Sequence, residues 1–324
     1  MIPPESPAIS VNGLTKRFGR KQALDGMTFS IPRRTVAGFL GPNGAGKTTT
    51  LRLLLGLASC DAGEMELLGC AMPKYRRESL EQTGTLVEHP SFIESFSGFE
   101  NLIWFGSLNK PVTVERAHEV LAKVGLTEAA HQSFGTYSTG MKQRLGVGFA
   151  IIHRPALLVL DEPTNGMDPQ GRVHMREIIK EIHESEGSTV FLSSHLLDEI
   201  QRLCDYVVIV DKGHTIREGY VEKLLHDEQE NWEIRLTEND ANKAIELCAT
   251  MDFVLSKQKV PRGIEFSLKP ETSAKLNQAL ISAGIAVSAL IPKEASLEKT
   301  FLELTDNGQG NGEHHDTPTS NTKS

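Results

Sequence analysis

Three runs of mainly apolar residues are each followed directly by a glycine, an acidic residue or a histidine. They are Val36–Leu40, Leu157–Leu160 and Thr189–Ser194. Runs that lack a regular polar alternation are typical of strands buried in a parallel sheet. In open α/β sheets, ligands bind beyond the carboxyl ends of such strands. The residues that follow the three runs are therefore the first candidates for a functional site.

The segments around these runs predict further strands and one helical insertion. Residues 8–40 have a β pattern throughout, with alternation at Ile9–Val11 and a second run at Leu24–Ile31. From Ser97 to Gln132 apolar residues recur at spacings of three and four, which predicts helices over Glu100–Leu108 and Val114–Val124. The other predicted elements are a helix at Thr50–Leu57, a helix ending near His153, and strands at Gly63–Gly69, Thr83–Glu88, Tyr206–Val210 and His214–Glu218.

The pattern changes near Tyr220, after which strands and helices alternate in the order βαββαβ. This order predicts a small α+β domain of the ferredoxin-like type. Its predicted elements are Trp232–Leu236, Asp240–Ala249, Phe253–Ser256, Ile264–Leu268, Ser273–Ala283 and Val287–Ile291, with a final helix at Ala295–Leu304. We therefore expect an α/β domain over 1–220 with a helical subdomain at about 90–150, an accessory domain over 221–305, and a disordered polar tail over 306–324.

Composition narrows the class of protein. Among the 324 residues, 39% are hydrophobic and 23% are charged, as in globular domains. The net charge of −8 argues against nucleic acid as the main partner. No run approaches the ~18 apolar residues that a membrane helix needs, and the N-terminus lacks the pattern of a secretory signal. The four cysteines form no C-x-x-C pair, which favours scattered thiols in a reducing cytoplasm.

The strongest motif follows the first apolar run. It consists of Gly41, Pro42, Asn43, Gly44, Ala45, Gly46, Lys47 and Thr48, followed by Thr49. A strand, a G-x-x-x-x-G-K-[ST] loop and a helix together form a phosphate cradle of backbone N–H groups. Lys47 would reach the β- and γ-phosphates, and the Thr48 hydroxyl would bind Mg²⁺. The motif predicts binding of a nucleoside triphosphate.

Two carboxylates and a histidine follow the other two runs. Asp161 would hold Mg²⁺ directly or through water, and Glu162 would polarise an attacking water. The alternative is that these acids only cap the strand. His195 occupies the equivalent position after the next run, which favours a functional role over a structural one.

Two other features have both a functional and a structural interpretation. Phe18 precedes the phosphate loop, where its ring would stack on a base, yet its spacing fits a core residue equally well. Ser138, Thr139, Gly140 and Met141 begin a helix and would leave N–H groups free for an anion. Taken alone, that stretch is an ordinary helix N-cap.

In combination, the ordered motifs over residues 8–220 resemble the nucleotide-binding subunits of ABC transporters. Tyr137–Met141 is similar to the Leu-Ser-Gly-Gly-Gln signature, from which it departs at Tyr137, Thr139 and Met141. Leu157–Glu162 matches the Walker B strand with its catalytic glutamate, and Asn165–Asp168 matches the D-loop. His195 matches the switch histidine, and Phe18 lies where the family places its adenine-stacking aromatic residue. The resemblance implies a P-loop ABC ATPase core.

Glu88 distinguishes a branch within this family. The family normally has glutamine at this position, near Mg²⁺, the attacking water and the membrane partner; Glu88 would itself bind Mg²⁺. Glu88 together with Tyr137–Arg144 resembles the branch of bacitracin-resistance exporters and lantibiotic-immunity transporters. Ala295–Leu304 resembles the C-terminal helix of drug-export ATPases in this group.

The resemblance also implies a mechanism and partners. Two subunits, expected to be identical, would close head to tail around two ATP molecules with Mg²⁺. Ser138, Thr139, Gly140, Met141 and Asp168 of one subunit would contact the nucleotide held by the other. The expected function is ATP hydrolysis by Glu162, His195 and Glu88 that drives export of an antimicrobial peptide or drug.

The expected setting is peripheral, on the cytoplasmic face of a bacterial membrane. The permease would be an integral membrane protein on a separate chain, and no nucleic acid is expected. Two alternatives are a soluble ABC protein acting on ribosomes or DNA, and a regulatory protein that binds ATP without turnover. The Asp161–Glu162 pair argues for hydrolysis.

Overall fold

The computed structural model describes residues 6–88, 90–225, 230–261 and 263–293. The chain divides into two compact units, Met1–Val221 and Glu222–Ser324. The predicted helix at Ala295–Leu304 and the predicted tail over 306–324 lie outside the described residues. No helix in the described part of the chain is both long enough and apolar enough to cross a membrane.

The first unit alternates strands and helices. Its strands are β1 (Ile9–Phe18), β2 (Lys21–Ile31), β3 (Val36–Leu40), β4 (Ala62–Leu67), β5 (Cys70–Met72), β6 (Thr83–Leu86), β7 (Leu157–Asp161), β8 (Thr189–Ser194), β9 (Tyr206–Asp211) and β10 (His214–Tyr220). Its helices are α1 (Lys47–Leu54), α2 (Arg76–Leu80), α3 (Gly98–Gly106), α4 (Val114–Lys123), α5 (Thr139–Ile151), α6 (Pro169–Glu186), α7 (Leu197–Leu203) and α8 (Val221–Leu225), the last at the boundary between the units.

A six-stranded sheet in the order β10-β9-β3-β8-β7-β6 carries the three apolar runs. Strands β3, β7 and β8 are neighbours, pair in parallel and are buried at every position. This confirms the prediction of buried parallel strands. Because the three strands point the same way, the residues that follow them meet at one edge of the sheet.

The β-rich N-terminal segment divides between two sheets, which its periodicity does not reveal. Strands β1 and β2 form an antiparallel sheet in the order β2-β1-β4-β5, whereas β3 belongs to the six-stranded sheet. Phe29 of the first sheet lies 5.3 Å from Phe39 and 6.0 Å from Phe191 of the second, measured between ring centroids. Burial of each ring contributes roughly 1.5–3 kcal/mol, so this aromatic cluster holds the two sheets together.

Helices α3, α4 and α5 lie between β6 and β7 in sequence, as the helical pattern predicts. Helix α3 begins at Gly98, earlier than predicted, because Ser97 and Glu100 form a reciprocal capping box at its start. Such a box satisfies two N–H groups that the helix itself leaves unpaired. The observed bounds of the three helices differ from the predicted ones by a few residues, as helix ends commonly do.

The second unit confirms the predicted βαββαβ order. Its elements are β11 (Glu230–Arg235), α9 (Glu238–Leu247), β12 (Val254–Val260), β13 (Gly263–Leu268), α10 (Ser273–Ser282) and β14 (Ala289–Lys293). The antiparallel sheet order β12-β13-β11-β14 is that of a ferredoxin-like fold. Ile234, Phe266, Leu276 and Leu280 are buried in its core.

Candidate active site

The loop between β3 and α1 has a backbone that only glycine accommodates at two positions. A Cβ atom on Gly41 would lie 2.4 Å from the Val210 carbonyl oxygen. Gly46 has a φ of +104°, and a Cβ atom there would lie 2.5 Å from Leu24 Cδ2. Gly46 is also the N-cap of α1, where it supplies no side-chain acceptor. The first N–H groups of α1 therefore form a favourable site for an anion.

Lys47 places a cation inside this loop. It is 6% exposed, and its Nζ donates hydrogen bonds to the carbonyl oxygens of Gly41, at 2.7 Å, and Pro42, at 3.3 Å. The same Nζ lies 3.4 Å from Glu162 Oε1. The ammonium group thus lies between the backbone of the loop and the carboxylate that follows β7.

A cleft of about 230 Å³ opens beside the loop. It is lined by Phe18, Lys21, Ala23, Asn43, Gly44, Gly46, Lys47, Thr48, Thr49 and Glu162. Phe18 ends β1 and is 52% exposed, so the core interpretation of this ring is wrong. Lys16 Nζ lies 5.4 Å from the centroid of the Phe18 ring. Lys21 and Ala23 also line the cleft, although no motif marked them in the sequence.

Ser193 joins the two carboxylates at the end of β7. Its Oγ donates to Asp161 Oδ1 at 2.6 Å and accepts the N–H of Glu162 at 2.9 Å. Asp161 and Ser193 are paired in register across β7 and β8, and both are buried. The sequence motifs did not mark Ser193 as a site residue. The available signal was a hydroxyl side chain that directly follows the apolar residues Val190–Leu192 and precedes His195 by two positions.

Glu162 is held between a cation and a histidine. Its Oε1 faces Lys47 Nζ, and its Oε2 lies 3.1 Å from His195 Nδ1. An ionised carboxylate only accepts hydrogen bonds, so the imidazole donates from Nδ1 in this arrangement. Glu162 also has a φ of +44°, in the left-handed region. A non-glycine residue held in that region costs about 1–3 kcal/mol, a strain that active sites can retain for function.

A second serine fixes the turn that carries His195. Ser194 Oγ donates to Glu199 Oε2 at 2.7 Å and accepts the N–H of Leu196 at 3.0 Å. The Ser194 carbonyl oxygen accepts from Gly41 N–H at 3.4 Å. The histidine turn is therefore connected directly to the phosphate loop.

The starts of α5 and α6 form a separate surface. Ser138 Oγ accepts the N–H of Met141 at 3.3 Å, and Asp168 Oδ1 accepts the N–H of Gly171 at 2.9 Å. Each side chain is the N-cap of its helix and is exposed. A Cβ atom on Gly166 would lie 3.7 Å from Thr139 Cγ2, so the turn before α6 lies beside the start of α5.

Glu88 and Tyr137, at two of the departures from the family pattern, have specific contacts. Glu88 has a φ of +65° and forms an ion pair with Arg52 of α1, with both side chains about half exposed. It is not among the residues that line the cleft. Tyr137 is buried, and its hydroxyl donates to the Ala129 carbonyl oxygen at 2.6 Å. Burial raises the pKa of Tyr137, which stays a neutral donor within the helical subdomain.

Comparisons with known proteins agree with this geometry. Residues 24–165 match the sequence profile of the ABC transporter family. The ABC transporter ATP-binding protein YdbJ of Bacillus subtilis is 36% identical, over 95% of this chain and 98% of that protein. The bacitracin transport ATP-binding protein BcrA of Bacillus licheniformis is also 36% identical, over 94% of this chain and 99% of that protein.

A solved bacterial ABC transporter cassette, described as dimeric, matches the fold. It has a TM-score of 0.60 and 20% identity, and the match covers 66% of this chain and 98% of that chain. Relatives that align over nearly their whole length carry more weight than the shared fold alone. The chain belongs to the ABC transporter family, as one of its ATP-binding, ATP-hydrolysing proteins.

Proposed function

We propose that this chain is the ATPase of a bacterial exporter for an antimicrobial peptide or drug. The proposal rests on its similarity to the bacitracin transport protein, which extends over 94% of this chain and 99% of that protein. The single structural observation that supports it is the continuous contact Lys47–Glu162–His195 beside the phosphate loop. A cation for phosphate, a carboxylate for water and a donor imidazole are the groups that ATP hydrolysis requires.

The nucleotide would occupy the cleft beside the loop. Phe18 would stack on the adenine ring, because its exposed face lines the same cleft as Lys47. The backbone of Gly41–Gly46 and the start of α1 would surround the phosphates. Lys47 would exchange its bonds to the carbonyl oxygens of Gly41 and Pro42 for bonds to phosphate oxygens.

Thr48 and Asp161 would hold Mg²⁺. Hard divalent cations prefer oxygen ligands, and the Thr48 hydroxyl in the cleft and the buried Asp161 carboxylate are of this type. Ser193 fixes one oxygen of Asp161 and so orients the group. The bound ion would neutralise charge on the phosphates. Glu88 is a further predicted ligand, but in this structure it is paired with Arg52, so that role requires the Glu88 segment to leave α1.

Glu162 would accept a proton from the attacking water. Its backbone is fixed by Ser193, and its two oxygens are oriented by Lys47 and His195. Once phosphate draws Lys47 away, Oε1 would be available to the water, while Nδ1 of His195 continues to hold Oε2. Only the imidazolium form, which carries an N–H at both ring nitrogens, could in addition donate from Nε2 to the γ-phosphate.

A second copy of the chain would complete the site. Ser138, Thr139, Gly140, Met141 and Asp168 lie at the starts of α5 and α6, outside the lining of the cleft. The exposure of Ser138, Thr139 and Asp168 supports a role toward a nucleotide held by another subunit. Closure would then be transmitted through the Glu88 segment and the helical subdomain to a permease on a separate chain, with this subunit peripheral on the membrane.

The sharpest test of this proposal is the Glu162→Gln variant of the full chain. The amide keeps the shape of the side chain but cannot accept the proton, so turnover should fall by at least about 100-fold, within the range general bases contribute. ATP with Mg²⁺ should then shift the light-scattering mass from one chain to two. Purification of this variant from detergent-solubilised membranes of its host should recover an integral membrane protein at near-equal stoichiometry.

A matched control is the Glu184→Gln variant, which changes an exposed carboxylate of α6 that pairs with Lys180 and is not among the residues that line the cleft. It should retain turnover and should not accumulate as a dimer. A Glu162→Gln chain that binds ATP and stays monomeric would contradict the dimer. Recovery of ribosomal proteins or nucleic acid without a membrane protein would contradict the exporter.

A further inference from the structure

Helices α4 and α5 hold each other's carboxyl ends through two arginines. Arg144 of α5 donates from Nη1 to the carbonyl oxygens of Val124, at 3.3 Å, and Gly125, at 2.9 Å, just after α4. In return Arg116 of α4 donates to the carbonyl oxygens of Ile151, at 2.5 Å, and Ile152, at 3.0 Å, at the end of α5. Arg116, near the start of α4, thus meets the end of α5, and Arg144, in the middle of α5, meets the end of α4, so the two helices run antiparallel. Cations at these ends also oppose the helix dipoles.

Glu186, the last residue of α6, joins this pair. Its Oε1 lies 3.3 Å from Arg116 Nη2 and 3.1 Å from Lys123 Nζ of α4. The side chain of Glu186 is 6% exposed, and that of Arg116 is 12% exposed. We call Arg116, Lys123 and Glu186 the charged junction. Through Arg116, it ties the end of α6 to the end of α5.

The first residues of α5 and α6 lie at the second surface of the active site. Helix α5 begins at the N-cap Ser138, and α6 begins at the N-cap Asp168. Thr139 lies beside Gly166 in the turn before α6. The charged junction is therefore the point where α5 and α6 are joined at the ends opposite to Ser138 and Asp168.

Stability alone is a poor explanation for the charged junction. Desolvation of a buried ion pair offsets much of its electrostatic attraction, and apolar replacements are often as stable. Here the second oxygen of Glu186, Oε2, is buried and has no hydrogen-bond partner in the described part of the chain, which increases that cost. The charges fix the relative orientation of the helices, because Arg116 contacts two carbonyl groups and the carboxylates of Glu119 and Glu186 in one geometry.

We infer that the charged junction positions α5 against α6, so that Ser138 and Asp168 are presented together to the nucleotide of a second copy. This inference rests on the proposed dimer. Arg116, Lys123 and Glu186 are positioning residues and contact no nucleotide in either subunit. Their loss should weaken ATP-dependent dimerisation without weakening the binding of ATP by the phosphate loop.

The test uses the Glu162→Gln chain as its parent and two measurements. One is the dissociation constant of the ATP-bound dimer by analytical ultracentrifugation, and the other is ATP affinity at chain concentrations too low for dimerisation. Adding Glu186→Gln should raise the dimer constant at least tenfold and leave ATP affinity within twofold. The matched control is Glu184→Gln on the same helix, which disrupts an exposed ion pair with Lys180 and should change neither quantity.

A second variant separates positioning from folding. Replacing Arg116, Lys123 and Glu186 together by Met removes every charge of the junction while keeping its volume. A thermal unfolding midpoint equal to that of the parent, with dimerisation still weakened at least tenfold, would support the inference. A triple Met chain that matches the parent in both thermal midpoint and dimerisation would overturn the inference. A Glu186→Gln chain that dimerises like the parent would overturn it as well. A parent that binds ATP but does not dimerise would instead overturn the proposed dimer on which the inference rests.

Discussion

Two helix N-termini of this molecule differ in how complete they are as binding sites. Helix α1 begins at Gly46 inside a cleft, with no side chain to satisfy its N–H groups and with a buried lysine beside it. Helix α5 begins at Ser138 on an exposed surface, where the serine hydroxyl already accepts the N–H of Met141. The first is organised to bind an anion in a single chain, whereas the second is capped by its own serine and lies on an exposed surface.

In the proposed mechanism, this difference would let one chain bind ATP without being committed to hydrolyse it. The groups around Lys47 are fixed by contacts within one subunit, through Glu162, Ser193 and His195. The start of α5 would contribute only when a second subunit brings it to the nucleotide. Preorganised donors account for much of catalytic stabilisation, so a site divided between two chains stays inactive until they meet. Variants in the two regions should therefore fail in different ways.

The largest effect is expected from Lys47→Ala. Removing the buried ammonium from the loop leaves Oε1 of Glu162 without its cation beside the place where phosphate must bind, while His195 still contacts Oε2. ATP turnover should fall by more than about 1,000-fold, as expected when a group that stabilises transition-state charge is lost. Turnover is measured as phosphate release. The control is Lys21→Ala, which changes another lysine of the same cleft. Undiminished turnover would contradict the assignment of the phosphate loop.

The next largest effect tests the α5 surface, with Gly140→Asp. A Cβ atom on Gly140 meets no atom within 4 Å, so the side chain fits without a clash. The added carboxylate would face the phosphates of the second subunit's nucleotide and repel them. Steady-state turnover should fall at least about tenfold, because like charges facing each other across an interface cost several kcal/mol.

Two controls separate this effect from damage to the helix. Gly140→Asn has nearly the same shape without the charge and should retain more activity than Gly140→Asp. ATP affinity of the dilute chain should be unchanged in both variants. If Gly140→Asp lost ATP affinity instead of turnover, the start of α5 would act on the nucleotide of its own chain.

The next effect concerns a different quantity, the ATP affinity of Phe18→Ala, which tests the base end of the cleft. Stacking of a base on an aromatic side chain contributes about 1–3 kcal/mol, so ATP affinity should fall by roughly tenfold or more. Phe18→Tyr retains the ring and should bind ATP as the parent does. Titration with ATP and GTP would show whether the loss is shared by both bases, as stacking requires. Equal affinity for the Ala and Tyr variants would contradict stacking.

Phe18 also illustrates how much the sequence could predict. The phosphate loop, Asp161, Glu162 and His195 were predictable because local motifs follow buried strands that end at one edge of a sheet. Spacing could not decide the environment of Phe18, since exposure depends on which strands pair with β1. Ser193 was missed for a related reason, because its contact with Asp161 arises from register across β7 and β8, which are distant in sequence.

The contacts of Glu88 could not be predicted from the sequence either. Its substitution by glutamine is expected to cause the smallest change in nucleotide affinity. Its identity was evident in the sequence, but its pairing with Arg52 and its left-handed backbone were not. A half-exposed ion pair contributes only about 0–1 kcal/mol, so Glu88→Gln should alter ATP affinity by about twofold at most.

The substitution nevertheless releases the Glu88 segment from a charged contact on α1. Drug resistance of cells carrying the variant, normalised to ATPase rate, should therefore change more than affinity does. Arg52→Gln removes the other member of the pair and should shift coupling in the same direction. Parallel losses of affinity and resistance in Glu88→Gln, with Arg52→Gln unaffected, would instead mean that Glu88 acts at the phosphate loop and not through α1.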